Sequence, residues 1–324
     1  MRLDFQKTIA GSQFTLPVVS AITVVVWLLF RQSGADWTNL LAGLAVSALA
    51  VYMLAELNSR NLLLRISSRL ISSLFAILMA VVIQLHPFQT GHIVLLLSLA
   101  SFFPLFQMYQ SANPILAFLT YLPLSLVSLV FPQILFLVPV YWFCQIYMRG
   151  ISLKSLCSSL LALALPYWIV FGIRFFVGYY DEWVPPILNL QSSILNPQSS
   201  IVNCELLIVN CESSFSPLQS VQFVYILLLL AVGIVDLYLN SYLDKTRIRI
   251  IYHVVVTHAF AVLLLLLLQI QCFYQLLPLL MADTAIIGGH FMALTYNRFS
   301  RIFCLFLMLA GMAVCIYSYL VTIK

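Results

Sequence analysis

The chain has 324 residues, 63% hydrophobic and 8% charged, with a formal net charge of +5 and a mean hydropathy of +1.06. A soluble domain carries about 25% charged residues, so this composition excludes a water-soluble fold. The fifteen Lys and Arg residues stand in small clusters between apolar runs, which argues against a nucleic-acid partner and for a membrane protein oriented by its loops.

The apolar runs are continuous rather than alternating, so helices and not barrel strands are predicted. Arg2 and Lys7 precede an uncharged stretch over 8–30. It is longer than the apolar region of a signal peptide and more spans follow, so it reads as a first transmembrane helix with a cytoplasmic N-terminus. Arg31 and Asp36 follow on the far side. The second span, 37–55, ends at the cluster Arg60, Arg65 and Arg69.

Between Arg69 and Arg149 lie 79 residues without a formal charge. Basic residues at span ends stay cytoplasmic, so an even number of crossings joins the two clusters. At about 20 residues per crossing, four fit. Their breaks fall at the helix punctuation His86–Gly91, Gln107–Pro114 and Phe131–Gln133, which makes each helix about 16–18 residues, or roughly 24–27 Å. A seventh span over 155–173 ends at Arg174.

Residues 178–220 form the one sizeable loop, and it repeats every seven residues: Val184–Leu190, Gln191–Pro197, Gln198–Cys204, Glu205–Cys211 and Glu212–Leu218. The apolar pair is adjacent rather than at coiled-coil spacing. The repeat reads as a tandem duplication that an exposed loop tolerates. Cys204 and Cys211 are able to pair on an oxidising face, although the repeat itself explains their spacing.

An eighth span, 213–235, leads to Lys245, Arg247 and Arg249. The 48 residues from there to Arg298 must hold two crossings. The first is 250–271. A second starting at Asp283 would reach only about 21 Å, so it either begins near Leu276 and takes Asp283 into the membrane or is re-entrant. The last span is 302–323. Threaded this way, twelve basic residues lie inside against Arg31, Arg174 and Lys324 outside. The expectation is an all-α polytopic transmembrane bundle of about 11 spans, with N-terminus inside and C-terminus outside. It forms a single multi-pass domain over 1–324 with an exposed loop at 184–218.

Two constellations carry candidate chemistry. Asp36, Arg174 and Asp181, with Trp37, Trp168, Glu182 and Trp183, collect on the outer face. Carboxylates beside a guanidinium suit transfer from a lipid-linked phosphate, while Trp and Arg at span ends also serve as interfacial anchors. Asp283 and His290 are two helical turns apart on one face, with Gly288 and Gly289 allowing a close neighbour. Ionisable groups inside a span mark ion or proton sites, although Asp283 also suits a helix cap.

His253 and His258 are about 140° apart around a helix and do not share a face as an HxxxH metal pair would. His86 and His92 flank a loop without a further ligand. No metal and no cofactor is expected, and no nucleotide or hydrolase fingerprint is present. Glu56 and Asp236 are expected to meet nearby Arg, Lys or water.

The segment Glu56-Leu-Asn-Ser-Arg60-Asn61, the short spans around Phe131-Pro132-Gln133-Ile134-Leu135, Arg149 before the seventh span and Tyr296-Asn297-Arg298-Phe299 before the last resemble a bacterial family of uncharacterised polytopic inner-membrane proteins. The resemblance implies a bacterial inner-membrane location and no catalytic role. Asp36 also gives a loose similarity to glycosyltransferases that use polyprenyl-phosphate sugars. Three functions follow as expectations: a cell-envelope assembly component, a lipid-linked glycosyltransferase on the outer face, or a proton- or cation-coupled transporter. The partners expected are membrane lipid and a polyprenyl-linked or small-molecule substrate, and the oligomeric state is not readable.

Overall fold

The computed structural model describes residues 12, 14–30, 36–64, 68–177, 216–240, 242, 244–294 and 298–323. Eleven α-helices occupy them: α1 (Thr15–Leu29), α2 (Trp37–Asn61), α3 (Leu70–Val81), α4 (Thr90–Gln107), α5 (Pro114–Ser128), α6 (Val138–Tyr147), α7 (Leu153–Val177), α8 (Pro217–Asn240), α9 (Thr246–Leu268), α10 (Phe273–Leu294) and α11 (Arg298–Ile323). Among the described residues there is no strand. Six helices, α2, α4 and α7–α10, are long and apolar enough to cross a membrane. The others offer shorter apolar stretches among the described residues.

The breaks between α3 and α7 fall at or near the predicted punctuation. α3 ends where Val82 turns extended, and a short 3₁₀ turn over Ile83–Leu85 leads to His86, still in helical backbone, where Pro87 has no N–H to carry the turn on. Gln110 turns in the left-handed region at φ 56°. Pro114 opens α5 at its first turn, and the Asn113 side chain accepts from the Ile115 N–H at 3.0 Å, the N-cap arrangement that satisfies an orphan donor. The lengths differ from expectation. At 12 residues, α3 rises only about 18 Å, because Val82 is already extended.

The described chain forms two compact units where the sequence suggests one domain: residues 1–99 with 214–324, and residues 100–213. In the second unit α5 packs on α7 through serines. Ser125 donates to the Leu163 carbonyl at 2.7 Å, Ser158 to the Pro114 carbonyl at 2.6 Å, and Ser128 shares a 2.7 Å bond with the Tyr167 hydroxyl. Small hydroxyl side chains let membrane helices approach closely and bond across the interface. On the other side of α7, Leu161, Trp168 and Phe176 are exposed, as lipid-facing residues are.

In the first unit α10 is the central helix, with α3, α8 and α9 packed on it. Every residue from Leu276 to Ala293 is buried. A helix that is apolar all round belongs inside a bundle, and glycines make room for its neighbours. A Cβ at Gly289 would lie 3.0 Å from the Ile71 Cα of α3, and one at Gly233 of α8 would lie 3.3 Å from the Gly288 nitrogen. Gln222 of α8 donates to Gln84 at 2.8 Å and to Ser318 of α11 at 3.1 Å.

The heptad loop lies outside the described residues up to 215. Its final unit ends differently from expectation. Pro217 and Leu218 begin α8, and Leu218 is buried. The reason is a capping box: the Gln219 N–H donates to Ser216 Oγ at 3.2 Å while Gln219 Oε1 accepts from the Ser216 N–H at 3.0 Å. The spacing S-x-x-Q is the sequence signature of such a start.

Candidate functional site: two His–Asp pairs on one buried helix

Asp283 sits in the middle of α10, not at its end as a cap. The helix runs unbroken for 22 residues, about 33 Å, and is long and apolar enough to cross a membrane. The turn Gln269–Cys272 joins it to α9 as an antiparallel hairpin. Ten residues separate His258 from Leu268, and ten separate Phe273 from Asp283. The two side chains therefore lie at the same depth, about 15 Å from the turn, half of a hydrocarbon core of about 30 Å.

They meet. His258 Nδ1 and Asp283 Oδ2 are 2.7 Å apart, with side chains 1% and 0% exposed. Two turns further along α10, His290 Nε2 lies 3.1 Å from Oδ2 of Asp244, also buried. Asp244 stands just ahead of α9, beside the basic run Lys245, Arg247 and Arg249. Tyr252 of α9 sets its ring edge-on against His290 at 4.7 Å and donates its hydroxyl to the Leu63 carbonyl at 3.3 Å. Asp283 and His290 thus do not bond each other. Each takes a partner from the α9 side of the hairpin, and the pairs stand about 10 Å apart along the axis.

Neither pair is saturated. Among the described residues, Asp283 Oδ1 and His290 Nδ1 have no hydrogen-bond partner. A buried polar atom left unpaired costs about 1–3 kcal/mol. Toward the hairpin turn α10 offers only apolar side chains, Leu276 to Ala282, all buried. Pro278 interrupts that stretch. It has no N–H for the Tyr274 carbonyl four residues back, and Gly91 of α4 lies against that carbonyl, where a Cβ would be 2.7 Å from it.

The outer-face constellation has no comparable geometry. Asp36 precedes α2 without a side-chain cap bond and is exposed. Arg174, in the last turn of α7, is exposed and belongs to the other compact unit. Asp181 lies outside the described residues, as do Cys204 and Cys211. Glu56 is bound by Arg60 at 2.6 Å, and Asp236 accepts from Asn240 at 2.8 Å. His86 stacks on Trp27 at 4.2 Å, and His92 Nδ1 accepts the Gln89 N–H at 3.2 Å. No family model and no curated protein sequence matches this chain.

Sequence reasoning missed His258 and Asp244. It compared His258 only with His253, on the same helix, whereas the partner was across the hairpin. Equal residue counts from Gln269–Cys272 to His258 and to Asp283 are the signal that finds it.

Proposed function

We propose that this multi-pass membrane protein is a proton-coupled transporter of a bacterial inner membrane, with Asp283 and His258 as its proton site. The observation that carries the reading is the 2.7 Å His258–Asp283 contact at mid-depth of a fully buried helix. Burying an ion pair is often no more stabilising than burying apolar side chains of similar volume, and ionisable groups inside a span are functional by default. An envelope assembly component needs neither group. Glycosyl transfer gains no support from Asp36 and Arg174.

The geometry suggests how a proton would pass. With eleven crossings and a cytoplasmic N-terminus, the Asp244–His290 pair stands at the cytoplasmic end of α10, and a proton passes from it to Asp283 over a chain of waters bridging the roughly 10 Å between the pairs. Leu276 to Ala282 then form the seal on the outer side, with Pro278 leaving one helix carbonyl without its usual N–H. A small molecule would be the coupled cargo.

Two measurements test the parts separately. A pH-difference infrared spectrum of the purified protein is expected to contain a buried carboxyl band that is missing from Asp283→Asn; without such a band in the wild type, the site exchanges no proton. For the topology, a reporter fused after Lys324 that is active only in the cytoplasm should stay silent. A bright reporter would leave an even number of crossings.

A further inference from the structure

Between the two His–Asp pairs the bundle is apolar on every side. Ile286 and Ile287 stand one helical turn from both Asp283 and His290, and Val254 and Val255 stand one turn inward from His258 on α9. All four are buried. The neighbouring helices close the layer. A Cβ at Gly288 would lie 3.0 Å from Leu74 Cδ2 of α3 and 3.5 Å from Leu229 Cγ of α8, and one at Gly233 would lie 2.8 Å from Ile287 Cγ2.

None of these six side chains carries a hydrogen-bonding group. The serines of α3 do not bridge the layer: Ser72 stands beside Ile71 at the level of Gly289, next to the inner pair, and Ser73 donates its hydroxyl to the Leu70 carbonyl at 2.9 Å. A proton does not cross about 10 Å of apolar side chains unaided. It needs a chain of about three waters spaced about 2.8 Å apart, and each buried water needs roughly 2–4 polar partners. Only the pairs at the two ends of the layer supply them.

We propose that Val254, Val255, Ile286 and Ile287 form a hydrophobic gate between the two pairs. Closed, they exclude water and isolate Asp244–His290 from His258–Asp283; the path conducts only while α9 and α10 part far enough for waters to enter. Apolar constrictions gate by dewetting in this way. A continuous polar face would leak protons at all times, whereas an apolar break makes transfer conditional on movement. The inference rests on the proton reading of the pairs and adds the step that controls exchange between them.

The test is potential-driven proton uptake into proteoliposomes holding the full chain, measured per inserted molecule. Val255→Thr nearly keeps the shape of the side chain and adds a hydroxyl that donates to a carbonyl one turn back while still accepting from water. It is expected to speed uptake about fivefold, the size of one added hydrogen bond, and Val254→Thr to act in the same direction. Val255→Ala enlarges the space without adding a polar partner, and because an apolar cavity stays dry, uptake within about twofold of the wild type is expected. A gain is what packing alone does not produce, since a polar atom added to a purely structural core weakens it. No uptake in the wild type ends the proton reading and the gate with it. Wild-type uptake with no gain in either Thr variant ends the gate alone, and so does equal acceleration by Val255→Ala, which would make space rather than wetting the limit.

Discussion

Replacing His258 alone by Leu is expected to destabilise the bundle by about 3–5 kcal/mol, because it leaves Asp283 buried without its partner. Replacing both His258 and Asp283 by Leu is expected to recover most of that loss while abolishing potential-driven proton uptake into proteoliposomes. The contrast separates two roles that a contact of 2.7 Å serves equally well in a static structure. If the pair were glue between α9 and α10, the double variant would be the stable and functionally normal one, since apolar contacts replace buried ionic ones without penalty. If it holds the transported proton, the double variant folds and is dead. Reversible denaturation in mild detergent gives the stabilities, and their cycle gives the coupling between the two residues. Proton uptake at the wild-type rate in the double variant would end the transporter reading.

The inner pair is expected to behave differently. Asp244 lies beside a basic run and its partner His290 packs against Tyr252. His290→Gln keeps a hydrogen-bonding side chain there but cannot carry a charge. Slower proton uptake with nearly unchanged stability is therefore expected, and equal loss of both would assign His290 to packing.

Much of the frame was legible because it depends on local chemistry. The start of α5 at Asn113-Pro114 is set by adjacent residues, and the start of α8 by Ser216 and Gln219. The sequence leaves the segment after 250–271 either to begin near Leu276 or to be re-entrant, and the helix there begins at Phe273. What local chemistry does not contain is the meeting of distant side chains. His258 and Asp283 are 25 residues apart, and the single position that aligns them is the turn at Gln269–Cys272. The division into two units was equally illegible, since the boundary falls at Leu99, inside α4, where no composition shift marks it.

Gly289 should be among the least replaceable residues of the chain. It stands next to His290 where α3 crosses α10, and a Cβ there would lie 2.7 Å from Ile71 Cγ1 and 3.0 Å from Ile71 Cα. The first contact is relieved by a rotamer change. The second is backbone, so α3 itself must move. α10 cannot yield in the opposite direction, because Gly233 of α8 abuts Gly288 on that side, where a Cβ would lie 2.8 Å from Ile287 Cγ2. Gly289→Ala is therefore expected to cost about 1–3 kcal/mol, the range for overpacking a core, and Gly289→Leu to exceed it and prevent stable insertion. A graded series of thermal unfolding in detergent checks this. Because His290 is the next residue, the Ala variant should also slow proton uptake, and Ile71→Ala, which keeps the backbone atoms that are struck, should not recover it. Full rescue of Gly289→Ala by Ile71→Ala would mean that the Ile71 side chain, and not the backbone of α3, sets the limit.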